Sequence, residues 1–122
     1  MAKVLLVDDD VQICAFVSML LQLEGFSTLV AQTADGAMAY LATEEFDLIL
    51  LDIAMPDVDG IELCRRIKGN PKTQRVPVLI VSARPGEDVI RKAKAAGADD
   101  FIRKPFENDE LIAQIRRHAA VA

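Results

Sequence analysis

Apolar positions along the chain follow two alternating rhythms. Short β-branched or Leu-rich runs recur at Lys3–Val7, Phe26–Val30, Asp47–Leu51, Pro77–Val81 and Asp100–Arg103, and stretches of helical spacing separate them. Strands alternating with helices imply βαβ units and a parallel sheet. Val4–Val7, Leu48–Leu51 and Val78–Val81 are almost wholly apolar, as parallel strands covered on both faces should be. Phe26–Val30 and Asp100–Arg103 carry polar residues, which suits strands at or near the sheet edges.

The intervening helices have readable ends. The first spans about Val11 to Leu23 and stops at Gly25, a natural left-handed cap. Thr33 is placed to cap the second, which carries Ala37, Met38 and Leu41 at helical spacing. The third follows Gly60 and closes at Gly69-Asn70-Pro71, with Ile61, Leu63, Cys64 and Ile67 along it. The fourth runs from near Gly86 to Gly97. The last is capped near Asn108 and buries Leu111, Ile112 and Ile115. No linker or repeat interrupts the series, so residues 1–122 are expected to form one (βα)5 domain.

Composition narrows the function classes. The core must be built from Val, Ile, Leu and Ala, because Trp is absent and only 5% of residues are aromatic. No apolar run approaches the ~18 residues of a membrane span. Met1-Ala2-Lys3-Val4 leads directly into the first strand without a signal-peptide pattern, so a cytoplasmic location is expected. Cys14 and Cys64 are too few and too isolated for a disulfide framework or a zinc site, and both read as small buried hydrophobes. The net charge of −5 argues against nucleic-acid binding, which needs a basic patch. Arg65-Arg66 and Arg116-Arg117 are short basic pairs on solvated helix faces. The negative charge, by contrast, gathers at Asp8, Asp9, Asp10, Asp52, Asp57 and Asp59.

Ligands of open parallel α/β sheets bind beyond the carboxyl ends of the strands. Asp8, Asp9 and Asp10 follow the first strand, Asp52 the third, Ser82 the fourth and Lys104-Pro105 the fifth. If the central strands are neighbours, these groups converge. Carboxylates ~4 Å apart repel by roughly 4 kcal/mol per pair at an effective dielectric near 20, so the site must take up a proton or a cation. An all-oxygen set favours a hard ion such as Mg²⁺. A Lys ammonium and a Ser hydroxyl complete a pocket able to hold a phosphoryl group. A central carboxylate there can act as nucleophile and become an aspartyl phosphate. Asp10 reads as a helix cap, and Asp57 and Asp59 as turn residues.

Leu5-Leu6-Val7-Asp8-Asp9-Asp10, Leu50-Leu51-Asp52-Ile53-Ala54-Met55-Pro56-Asp57-Val58-Asp59-Gly60, Val81-Ser82-Ala83, Gly97-Ala98-Asp99-Asp100-Phe101 and Arg103-Lys104-Pro105-Phe106 together resemble the signature of response-regulator receiver domains, over the whole chain. The resemblance implies a flavodoxin-like, doubly wound three-layer fold with strand order 2-1-3-4-5. It implies a phosphoacceptor switch that assists its own phosphorylation and dephosphorylation, not a classical enzyme. Asp52 would be phosphorylated by a histidine kinase or a histidine phosphotransferase. Asp9, Asp52 and the backbone carbonyl of Ala54 would ligate Mg²⁺, with Asp8 holding a metal-bound water and Lys104 pairing with the phosphoryl oxygens. Ser82 and Phe101 stand at the switch positions, and the Lys104–Pro105 bond would be cis. The positions that tune phosphoryl lifetime hold Ala54, which has no group to hold an attacking water, and Arg84, long enough to reach over the phosphate. The coupled surface would be the fourth helix, fifth strand and fifth helix.

Three further expectations concern surfaces. The first helix is uncharged from Val11 to Leu23; Ile13, Val17, Leu20 and Leu21 make its buried stripe, leaving Phe16, Val11 and Met19 as a candidate docking face for the phosphodonor. Val89, Ile90 and Ala93 form a modestly apolar patch that could support a phosphorylation-dependent homodimer. His118 is expected to be a solvated helix-end residue. The rival from another class is a haloacid-dehalogenase-like phosphatase with Asp8 as nucleophile. Against it, Gln12 replaces the expected Thr or Val, and no cap segment is present. A nucleotide-binding domain would need a Gly-rich first turn where three aspartates stand.

Overall fold

The computed structural model describes residues 2–53, 60–83 and 86–119. Five parallel strands, β1 (Lys3–Val7), β2 (Ser27–Ala31), β3 (Leu48–Asp52), β4 (Val78–Ser82) and β5 (Asp100–Arg103), form one sheet in the order β2-β1-β3-β4-β5. The helices are α1 (Val11–Leu23), α2 (Ala34–Thr43), α3 (Gly60–Gly69), α4 (Glu87–Ala95) and α5 (Asn108–His118). This is the flavodoxin-like arrangement, with its crossover point between β1 and β3.

The strand period of two sorts the core into two layers. Leu5, Val7, Ile49, Leu51, Val78 and Ile80 face a cluster completed by α2, α3 and α4. Val4, Leu6, Leu48, Leu50, Leu79, Val81 and Ile102 face another, completed by Cys14, Val17 and Leu21 of α1 and by Leu111, Ile112 and Ile115 of α5. β1, β3 and β4 are covered on both faces, which is why their runs are continuously apolar.

Several local expectations hold. The Asp10 carboxylate caps α1 by accepting from the backbone N–H of Gln12 at 3.0 Å and Ile13 at 3.2 Å. Thr33 Oγ1 accepts from Gly36 N at 3.0 Å. Gly25 ends the α1 turn at φ +90°, a conformation that favours glycine. Both cysteines are buried and free.

Others need correction. β2, β3 and β4 each start and end one residue later than the apolar runs suggest, because pairing continues to Val7↔Ala31, Asp52↔Val81 and Ser82↔Arg103. Asp52 and Ser82 therefore close their strands instead of following them. Glu107, not Asn108, occupies the α5 cap and makes no side-chain capping bond there. On α1 the deepest residues are Cys14, Val17 and Leu21, while Ile13 and Leu20 are only partly buried. Ala93 is fully buried in the core, which removes it from the surface patch assigned to α4. His118 is not simply solvated: its Nε2 lies 2.8 Å from Asp100 Oδ2. Ala54, Asp57, Asp59 and Arg84 lie outside the described residues.

Candidate functional site

The sheet order places the chemistry. β1 and β3 are neighbours through Val7↔Leu51, so Asp8, one residue beyond β1, stands beside Asp52, the last residue of β3. Asp8 is 3% exposed and Asp52 6%, whereas Asp9 is exposed. Ligand oxygens of Asp8, Asp9 and Asp52 lie within 4.8 Å of one another. β5 delivers the counter-charge from the sheet edge: Lys104 N donates to Ser82 O at 2.9 Å, and the following Lys104–Pro105 bond is cis. Lys104 Nζ then sits 3.3 Å from both Asp8 Oδ2 and Asp52 Oδ2.

Among the described residues three carboxylates face one ammonium, and the electrostatics reflect this. Burial pushes the Asp8 carboxyl above its ordinary value; the N–H of Asp10 and the Lys104 charge pull it down, but the Asp52 charge adds to the rise. Burial pulls the Lys104 ammonium down, yet the charges of Asp52 and Asp8 more than compensate and hold it above its usual range. Beneath the carboxylates the walls are apolar, with Leu50, Val81, Phe106 and Leu111 around a void of about 10 Å³. That floor keeps the local dielectric low, so each charge interaction is stronger than in water.

The donor set fits a hard divalent cation. Oxygen ligands at ~2.1 Å from one octahedral ion stand roughly 3 to 4 Å from each other, inside the spread found here. An ion there would offset the mutual repulsion of Asp8, Asp9 and Asp52.

Ser82 and Phe101 lie on the neighbouring strands β4 and β5. Ser82 is one residue beyond Val81, the partner of Asp52, and is 8% exposed. Phe101 pairs with Ile80 in mid-strand and is half-buried against the α2/α3/α4 cluster. By strand alternation Ser82, Ile80 and Phe101 share one face of the sheet. On the other side of the site, Ile13, Phe16, Ala83, Pro105 and Phe106 line an open apolar groove of about 440 Å³, with Gln12 and Lys104 at its margin.

One contact escaped the sequence reading. Cys14 Sγ donates to the backbone carbonyl of Asp8 at 3.2 Å. Burial, and then the Asp8 and Asp10 charges, push this thiol up to about 11, so it stays protonated near neutral pH. A residue four places after the Asp10 cap turns back toward the end of β1, and that helical spacing was the available signal.

A family model described as the response regulator receiver domain matches residues 4–116. The chain is 44% identical over 117 residues to the transcriptional regulatory protein CpxR homolog of Haemophilus influenzae, covering 95% of this chain and 49% of that protein. It is 36% identical over 114 residues to the phosphate regulon transcriptional regulatory protein PhoB of Rhizobium meliloti, covering 93% and 50%. The chain thus spans about half the length of these curated relatives. Among solved structures, the chemotaxis protein CheY4 of Vibrio cholerae superposes with a TM-score of 0.93 at 30% identity, covering 97% of this chain and 98% of that one. The haloacid-dehalogenase alternative is not supported by these similarities.

Proposed function

This chain belongs to the response regulator receiver domain family of two-component signalling, and on that premise we propose that Asp52 is its phosphoacceptor. The observation that carries the reading is the sharing of Lys104 between Asp8 and Asp52 at 3.3 Å each. One Asp52 oxygen bonds to phosphorus as the phosphohistidine N–P bond breaks, and the leaving imidazole takes a proton from solvent. Lys104 supplies positive charge to the transferring oxygens. Ser82, at the end of the adjacent strand, donates its hydroxyl to the same group.

Asp8, Asp9, Asp52 and the backbone carbonyl of Ala54 form the proposed Mg²⁺ site. When bound, Mg²⁺ would neutralise charge on the phosphoryl oxygens and offset the carboxylate repulsion. Asp9 is exposed and suited to direct ligation. Asp8 is tied to Asp10 N at 2.9 Å and to Lys104, so its part is to orient and to balance charge. Phosphoryl lifetime is assigned to Ala54 and Arg84. Ser82 and Phe101 share a sheet face and would carry the switch to α4, β5 and α5.

The partner is a histidine kinase or histidine phosphotransferase in the cytoplasm, and the whole chain acts as one receiver unit. No helix among the described residues is long and apolar enough to cross a membrane. The donor would dock on α1, where Phe16, 45% exposed, lines the apolar groove and Met19 is 53% exposed. A phosphorylation-dependent homodimer would use Val89 and Ile90, partly buried on α4.

Intact mass after acetyl phosphate and Mg²⁺ tests the acceptor. Wild type gains one phosphoryl group and Asp52→Asn gains none; a full gain by the variant overturns the assignment. Phe16→Ala should lose transfer from a cognate kinase and keep acetyl phosphate labelling. Equal loss from both donors refutes docking.

A further inference from the structure

We propose that Cys14 is a positioning residue for the metal pocket, its thiol holding the backbone of Asp8 in place for cation binding. This rests on reading the pocket as a Mg²⁺ site and goes beyond it by naming what orients one of its carboxylates.

The geometry is specific to the end of β1. Asp8 lies just past the β1 ladder, and its N–H still reaches Ala31 O at 3.1 Å. Its side chain is fixed by Asp10 N at 2.9 Å and Lys104 Nζ at 3.3 Å. The remaining polar atom is the backbone carbonyl. Cys14, itself only 3% exposed in the first turn of α1, donates to it at 3.2 Å. A buried carbonyl left without a donor is costly, and a shift of that carbonyl rotates the carboxylate attached to the same residue. Partners that orient metal-binding groups are often worth tenfold or more in affinity; a thiol is a weak donor, so a smaller effect is expected.

Cys14→Ala and Cys14→Ser separate donor from filler, because both remove the sulfur bulk and only Ser keeps a donor. Mg²⁺ alone is titrated calorimetrically into each folded protein at low temperature, and metal-free thermal melts are recorded in parallel. Cys14→Ala should bind Mg²⁺ about three- to tenfold more weakly than wild type. Cys14→Ser should stay within about twofold, although it melts no higher than Cys14→Ala. Equal affinity in the two variants, or weaker binding by Ser than by Ala, overturns the inference. A wild type that takes up no Mg²⁺ overturns the site reading instead, and this inference with it. Should Cys14→Ala not fold, the infrared S–H stretch of Cys14 decides, with the Cys64 band assigned by Cys64→Ala. A hydrogen-bonded frequency supports the contact, and a free-thiol frequency rejects it.

Discussion

The two ends of the sheet use the same residue types for opposite purposes. At the amino end of β4 and β5, Lys68 pairs with Asp99 at 2.7 Å and donates to the carbonyls of Val76 at 2.8 Å and Gln74 at 3.4 Å. Asp99 in turn accepts from Val78 N at 2.8 Å. The loop is shaped around this knot: Gly97 has φ +103°, and a Cβ there would stand 2.7 Å from Lys68 Cγ. At the carboxyl end Lys104 is divided between two buried aspartates at 3.3 Å, with Asp9 beside them. One Lys–Asp pair is closed by backbone partners and balanced in charge. The other gathers three carboxylates around one lysine among the described residues, an arrangement suited to a cationic ligand.

If that contrast is right, Lys68→Ala should give the largest stability loss among the charge changes considered. Removing a mostly buried ammonium strips one partner from Asp99 and leaves two carbonyls without their donor, costing about 2 kcal/mol. Urea unfolding measures it, and Asp52 labelling by acetyl phosphate should survive. A variant that keeps full stability but loses labelling would reverse the roles given to the two ends.

Asp8→Asn tests the other end with the opposite sign. Deleting one of three mutually repelling carboxylates should stabilise the metal-free protein by about 1 kcal/mol, the repulsion relieved exceeding the Lys104 attraction lost. Because the Asp8 carboxyl is held above its ordinary value, the folded chain binds this proton more readily than the unfolded one. Wild-type stability from this group therefore falls as pH rises through the folded value, and the gap to Asp8→Asn closes at acid pH. Saturating Mg²⁺ should also close it, by stabilising wild type more. A variant less stable than wild type at pH 7 without metal would show that the Lys104 pairing outweighs the repulsion.

Much of this was legible in the chain itself, and the misses share a cause. Asp10 and Thr33 could be read as caps because an N-cap bonds within three residues. The covered strands were visible because both faces of β1, β3 and β4 demand apolar side chains. Hydropathy does not report whether a polar residue's backbone still pairs, so Asp52 and Ser82 looked like loop residues although each ends a ladder. Asp8, Asp9, Asp52 and Lys104 were chosen by position and do converge. Ser82 is tied to Lys104 through its backbone carbonyl, while Phe101 sits in mid-β5 against the α2/α3/α4 cluster. The Cys14 contact and the His118 pairing depend on helix placement over a strand end or edge, which one-dimensional periodicity does not encode.

The smallest effect concerns that His118 pair, which also lies at the amino end of β5 but is open to water. Side chains of His118 and Asp100 are 22% and 31% exposed, so solvent and salt weaken their attraction. Burial pushes the Asp100 carboxyl up, but the His118 hydrogen bond, the N–H of Phe101 and the charges of His118 and Arg117 together leave it below its ordinary value. A lowered carboxylate contributes stability above its unfolded value, near ~3.9, and loses it as pH falls through the folded value. His118→Gln keeps a hydrogen-bond donor for Asp100 and removes the possibility of charge. Its cost near pH 6 should be about 0.5 kcal/mol, shrinking in high salt and fading as pH falls through the lowered Asp100 value, as followed by urea midpoints. A salt-independent loss as large as that of Lys68→Ala would place this pair in the closed class, and exposure would no longer separate the pairs that hold the fold from those that merely decorate it.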